Sequence, residues 1–298
     1  MKDENELEKV KNSDTLKPKS FKFLNFLLIV FILIIGIFLY IKYLGVKGLI
    51  VKEYRVESSI LSSNFSGIKI VHISDILYGS TVDKDDLNNL VKKVNLLKPD
   101  IIVFTGDLVH KTKSIKDNDK KVLINILSEM DASIGKYAIK GNYDYNEYYE
   151  DILNESKFIL LDNSYEEIYY KNNEFIYIVG LPSMIKGDIN LEESFKFYTD
   201  EDRRYIICLL HEGNMIDMLN NSDYEIDLIL GGHSLNGSII VPYYGSLFIP
   251  KDSTDYYAPV YSKGITNIFI SSGIGTDEYP YRFMNKPSIN LIRLKSNE

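Results

Sequence analysis

A single cysteine stands in this chain of 298 residues, so no internal disulfide is available and the thiol content ties the protein to neither side of a membrane. That residue, Cys208, lies inside the apolar run Tyr205 to Leu210 and reads as a small core residue in preference to a thiol nucleophile. Clustered positive charge is also missing. The 34 basic residues are scattered against 42 acidic ones for a net charge of -8, and the electrostatic footprint of a nucleic-acid binder is absent. Internal repeats and low-complexity stretches do not occur beyond residue 45, and glycine and proline fall at strand ends instead of in linkers. Residues 45–298 are therefore expected to form one large α/β domain, long enough to bury a sizeable core.

One long hydrophobic run is present. From Phe23 to Ile41 the only strongly polar side chain is Asn25, and about 20 such residues span a bilayer core. A cleaved signal peptide would have a shorter apolar region followed by small residues, whereas Tyr40, Lys42 and Tyr43 stand here. Residues 21–44 are expected to be a retained transmembrane anchor, preceded by a disordered tail over residues 1–20 that is too polar to fold alone. Lys17, Lys19 and Lys22 precede the span, and Lys42 and Lys47 follow it. The positive-inside rule then predicts a single-pass protein of the cell membrane with the tail inside and the domain outside.

Beyond the anchor, short apolar runs alternate with amphipathic stretches, the pattern of strands covered by helices. The predicted strands are 68–73, 101–104, 137–139, 175–179, 205–210, 226–230 and 267–270. Asp83 is placed to cap a helix carrying Leu87, Leu90, Val91, Val94 and Leu97 on one side and closed by Pro99; a second helix carries Leu123, Ile126, Leu127 and Met130.

The residues at the strand ends are more informative than the strands themselves. Ser74-Asp75, Gly106-Asp107, Gly141-Asn142, His211 and Gly232-His233 each close one of them with a residue able to ligate a metal. In open α/β sheets, functional groups gather outside the carboxyl ends of strands, so residues far apart in sequence can converge there. Carboxylate, amide oxygen and imidazole suit a Mn, Fe or Zn class ion. Singly, each has a plainer reading: Asp75 and Asp107 as helix N-caps, Gly141-Asn142 as a turn, either histidine as a satisfied loop residue. The joint order and spacing are harder to explain that way.

That order resembles the ligand series of the calcineurin-like metallophosphoesterases: Asp75, then Gly106-Asp107, Gly141-Asn142-Tyr143-Asp144, His211 and Gly232-His233. Phe65-Ser66-Gly67, Val241 to Gly245, and Ser272 to Thr276 with Pro280 and Arg282 extend the likeness to the membrane-anchored bacterial branch. The resemblance implies a two-sheet β-sandwich flanked by helices behind one N-terminal transmembrane helix. It also implies hydrolysis of a phosphoester or pyrophosphate at a pair of divalent ions, with Arg282 as the candidate phosphate contact.

The chain departs from the family at three positions, where Leu77, Tyr143 and Leu235 replace histidines. By the resemblance, one ion would take Asp75, residue 77, Asp107 and residue 235, and two of those four are leucine. The other would take Asp107, Asn142, His211 and His233, all present. One ion instead of two is expected, with activity lowered by orders of magnitude, because a lost ion removes several kcal/mol of charge stabilisation. Tyr143 stands where the family has a histidine that assists the leaving group, and Asp144, which orients that histidine, remains. His72 has the wrong strand parity to join Asp75, and His110 lies in a loop past Asp107. Three readings stay open: a weakened membrane phosphoesterase acting on a phosphorylated small molecule or lipid headgroup, a catalytically inactive homologue that binds one metal or a phosphate group as a sensor or scaffold, and a membrane scaffold with no ligand.

Overall fold

The structure, a computed structural model, describes residues 19–171, 173–199, 201 and 203–297, with residues 19 and 20 as backbone only. The tail expected over residues 1–20 lies outside the described residues up to residue 18. Helix α1 (Lys19–Leu39) continues into one π-helical turn at Tyr40–Leu44. From Phe21 onward nearly all its side chains face outward, and it is long and apolar enough to cross a membrane.

Two six-stranded sheets follow. The first runs in the order β1-β14-β2-β3-β4-β5, from β1 (Ile50–Ser58), β14 (Ser288–Ser296), β2 (Lys69–Ile73), β3 (Ile101–Phe104), β4 (Gly135–Ala138) and β5 (Ile159–Leu160). The second runs β12-β13-β9-β8-β7-β6, from β12 (Val260–Lys263), β13 (Thr266–Ile270), β9 (Leu228–Gly231), β8 (Ile206–Leu209), β7 (Glu174–Gly180) and β6 (Ser164–Tyr170), while β10 (Ile240–Val241) and β11 (Gly245–Ser246) pair as a separate hairpin. Strands β2 to β5 are mutually parallel, as are β7, β8, β9 and β13. This is the two-sheet α/β architecture that the resemblance implied.

The central strands are buried on both faces, which is why they read as unbroken apolar runs instead of alternating ones. Ile70, Ile101 and Val103 of the first sheet meet Ile178, Ile207, Leu209, Leu228 and Leu230 of the second in an inter-sheet core. The other face of the first sheet is covered by helix α2 (Lys84–Leu97) through Leu87, Leu90, Val91 and Val94, and by helix α3 (Asp117–Ser128) through Leu123, Ile126 and Leu127. Burying each such side chain contributes about 1.5–3 kcal/mol. The Asp83 carboxylate accepts from the Asp85 and Asp86 amides, while Asp86 accepts from the Asp83 amide, closing the predicted cap as a capping box. Lys98 turns left-handed at φ 50° and ends the helix before Pro99.

The end of helix α1 is fastened to the segment that precedes β14. Phe38 packs on Tyr281 with ring centroids 6.0 Å apart, Tyr40 packs on Phe283 at 6.2 Å, and the Arg282 amide donates to the Ile41 carbonyl at 3.2 Å.

Candidate metal centre

Because β2, β3 and β4 are parallel in one sheet and β8 and β9 in the other, their carboxyl ends open on a common edge. All five sequence-predicted ligands stand there. Three of them converge tightly: ligand atoms of Asp107, His211 and His233 all lie within 4.8 Å of one another. Asp75 is the next neighbour, its Oδ1 4.0 Å from His211 Nε2, whereas Asp107 Oδ2 is 3.3 Å from the same nitrogen. The rings of His211 and His233 are 5.2 Å apart.

Backbone geometry makes this convergence possible. Gly106 sits at φ 92°, a conformation open to glycine, and a side chain there would run into the Gly141 backbone. A Cβ at Gly141 would in turn meet the Asp107 amide at 2.6 Å and His211 Cε1 at 2.8 Å. Asp144 is fully buried and accepts from the amides of Asp107, Leu108 and Gly141 at 2.6, 3.0 and 2.9 Å, tying two ligand loops together. The carboxylate therefore contacts loop backbone and not the Tyr143 hydroxyl. His211 Nδ1 donates to the Thr105 carbonyl at 2.6 Å, which fixes the tautomer and turns Nε2 towards Asp107.

The electrostatics are those of an acidic, largely buried site. Burial pushes the Asp75 carboxyl up to about 7, opposed by His211 and reinforced by Asp107. Burial and the Asp107 charge do the same to Asp144, also to about 7. At His211, burial acts to lower proton affinity, but the carboxylates of Asp107 and Asp75 outweigh it and hold the imidazole well above its ordinary value. Burial, with the neighbouring His211 charge, drives His233 down to about 4.

A divalent cation fits this donor set. His211 Nε2 and Asn142 Oδ1 are buried without a well-directed hydrogen bond, which is costly for polar atoms that have no ligand to serve. Asp107, His211, His233 and the Asn142 amide oxygen would supply two imidazoles, a carboxylate and an amide oxygen to one ion. The Asp75 side differs. Asp75 Oδ2 is occupied by the Ser74 hydroxyl at 2.5 Å and the His233 amide at 3.1 Å. Leu77 and Leu235 are buried beside the 273–275 loop and offer no lone pair. Both leucines nevertheless keep left-handed backbone, φ 51° and 50°, as do Asp75, Asp107 and His233. Leucine adopts that conformation at a cost of about 1–2 kcal/mol.

Tyr143, the expected replacement for a leaving-group acid, donates its hydroxyl to Asp277 at 3.0 Å and accepts from Lys111 Nζ at 3.1 Å. Burial is the main reason that its phenol is pushed up to about 12, and Asp277 adds to it. Lys111 also pairs with Asp277 at 3.2 Å, and His110 Nε2 lies 3.5 Å from the same carboxylate. Lys111 and Asp277 escaped the sequence reading; the one available signal was the position of Asp277 directly after the Ser272 to Thr276 segment. His72 points between the sheets and bonds Thr105 Oγ1 at 2.9 Å, outside the ligand group, as its parity predicted.

Arg282 corrects the sequence reading. The residue is fully buried, and its guanidinium donates to the carbonyls of Ser272 and Gly275, each at 2.6 Å, with longer contacts to Gly273 and Asn285. With its donors committed to backbone oxygens, it holds a loop and does not reach a phosphate.

The family profile described as calcineurin-like phosphoesterase matches residues 68–237. The chain is 31% identical over 248 residues to the uncharacterized metallophosphoesterase YkuE of Bacillus subtilis, covering 82% of this chain and 85% of that one. It is 24% identical over 249 residues to a zebrafish (Danio rerio) protein named as a transmembrane protein with metallophosphoesterase domain, covering 79% of this chain and 55% of that one. A shorter match, 35% identical over 86 residues, is to the UDP-2,3-diacylglucosamine pyrophosphatase LpxG of Chlamydia muridarum, covering 29% of this chain and 25% of that one. Ligand series, two-sheet architecture, profile and the likeness to YkuE agree, and the chain belongs to the calcineurin-like phosphoesterase family.

Proposed function

We propose that this protein is a membrane-anchored phosphoesterase that hydrolyses a phosphoester or pyrophosphate with a single divalent ion of the Mn, Fe or Zn class, at a rate well below that of a two-ion enzyme. The observation that carries the proposal is the convergence of Asp107, His211 and His233 within 4.8 Å, with the buried Asn142 Oδ1 lacking a hydrogen-bond partner and His211 Nε2 facing the Asp107 carboxylate at 3.3 Å. When bound, the ion would supply Lewis-acid polarisation of a phosphoryl oxygen and activation of a water. Asp144 holds the Asp107 and Asn142 loops in register, and Thr105 holds the His211 tautomer. Tyr143 is the candidate proton donor to a leaving oxygen, a task for which a phenol pushed up to about 12 is poorly matched at neutral pH. Lys111, part-exposed beside the Tyr143 hydroxyl, takes over the phosphate contact first expected of Arg282. Substrates on this reading are a phosphorylated small molecule or a lipid headgroup at the membrane surface, and the balance of Lys17, Lys19 and Lys22 before the span against Lys42 and Lys47 after it supports a domain outside the cell.

The second reading, a catalytically inactive homologue that keeps one metal or a phosphate group as a sensor or scaffold, is favoured by Leu77 and Leu235 on the Asp75 side. A single assay separates the two. Full-length protein in detergent micelles is given Mn and a chromogenic phosphodiester, alongside Asn142→Ala. Hydrolysis clearly above that variant supports the enzyme; equal rates support the silent homologue.

A further inference from the structure

A cavity of about 370 Å³ opens against His233, within the size range of small-molecule pockets. Its polar end is formed by His233, Ser234 and Asp277, beside the ligand cluster. Apart from Ser238 and Glu278, the rest is apolar or aromatic: Leu235, Ile239, Leu247, Phe248 and Pro250 from one segment, with Tyr279 and Tyr281 from another. Leu247, Phe248 and Tyr279 are about half exposed at its mouth, and Tyr243 and Tyr244 project fully from the adjoining turn. So many large apolar side chains on one exposed lip mark an interaction surface.

The anchor indicates what covers that lip. Tyr281, a wall of the cavity, packs directly on Phe38 of the membrane-spanning helix, and Phe283 two residues on packs on Tyr40. The cavity wall is thus continuous with the segment that enters the bilayer. Tyrosines such as Tyr40, Tyr43, Tyr279 and Tyr281 are the residues that settle at a membrane–water interface. The acid groups lining the cavity are partly neutralised, Asp277 by Lys111 at 3.2 Å and Glu278 by the same lysine at 3.4 Å.

We infer that this cavity is an acyl-chain subsite: it takes the apolar part of a bilayer amphiphile whose phosphate-bearing head lies at the Asp107, His211 and His233 end. The inference rests on the phosphate-handling reading of that cluster and extends it to a membrane lipid as the substrate class. A lipid drawn into the cavity from the anchor side keeps its tail out of water throughout, which a water-soluble phosphoester has no need for.

The test uses the full chain reconstituted in phosphatidylcholine vesicles and loaded with Mn, the ion the phosphate-bearing head needs, with photolysis on ice at once after mixing so that little probe is turned over. The probe is phosphatidic acid carrying a diazirine on one acyl chain; a diacylglycerol with the same diazirine serves as the headless control. After photolysis, crosslinks are mapped by mass spectrometry. The expected result is labelling of the 238–250 segment several-fold stronger with phosphatidic acid than with diacylglycerol, and lost in Phe248→Asp and Leu247→Asp. Tyr244→Asp, exposed but outside the cavity lining, controls for folding and keeps the label. Labelling confined to residues 21–44, equal labelling by both probes, or unchanged labelling in Phe248→Asp overturns the inference. A protein labelled as expected but inert towards the soluble chromogenic substrate keeps its lipid site and loses the enzymatic reading.

Discussion

Replacing Arg282 by alanine should damage folding and not phosphate affinity. The guanidinium is fully buried and holds the Ser272 and Gly275 carbonyls at 2.6 Å, with longer contacts to Gly273 and Asn285. Each of the two short charge-assisted bonds contributes about 1.5–3 kcal/mol, and their loss leaves buried acceptors unpaired. Relief from burying a cation offsets part of that, since burial already lowers the guanidinium to about 10. The expected net loss is about 3 kcal/mol, read as a lower urea midpoint for the full chain in detergent micelles, followed by circular dichroism. Arg282→Lys should restore only part of it: one ammonium can meet the Ser272 and Gly275 carbonyls that Nη2 alone holds, but not the longer contacts that Nε and Nη1 make to Gly275 and Asn285. An unchanged midpoint together with a weakened affinity for inorganic phosphate would refute the reasoning and return Arg282 to the phosphate site.

Gly141→Ala forces a methyl against the Asp107 amide and His211 Cε1, so stability should fall by about 1–3 kcal/mol and metal binding should be lost with far-ultraviolet dichroism retained; undiminished metal binding would show that the loops have more slack than the contacts imply. The triple variant Leu77→His, Tyr143→His, Leu235→His should gain a second bound ion and raise phosphodiester turnover by orders of magnitude, and an unchanged ion count would contradict the ligand assignment. Lys52, lowered to about 8 first by burial and then by the Arg282 charge, disfavours the folded state while protonated. Because its folded value lies below the ordinary 10.5, that penalty is complete below about pH 8 and fades as pH rises towards 10.5. Lys52→Met should therefore raise Tm at pH 7 and lose its advantage in alkaline buffer; a pH-independent difference would point to packing alone.

Sequence legibility followed the locality of the physics. The α2 helix could be read because its cap, its apolar face and its terminating Pro99 all lie within one short stretch. Ligand residues at strand ends were recognisable because each follows an apolar run that had to be a buried strand. Strand β1 was not, since it is a half-exposed edge whose Lys52, Glu53, Arg55 and Glu57 break up the apolar pattern. β14, with which it pairs, carries Asn290 and Arg293 among its apolar residues and was hidden in the same way. Arg282 was misjudged because burial is a tertiary property: nothing within its own segment shows that the carbonyls of Ser272 and Gly275 will surround it. Lys111 and Asp277 meet at Tyr143 only through the fold, from loops separated by most of the domain.

The central claim, one intact ligand set beside one dismantled set, is tested most directly by counting ions. Full-length protein purified without chelator and loaded with Mn should carry about one ion per chain by elemental analysis, falling to none in His211→Ala. Two ions per chain would contradict the account, because Leu77 and Leu235 leave the Asp75 side with too few donors to hold a second.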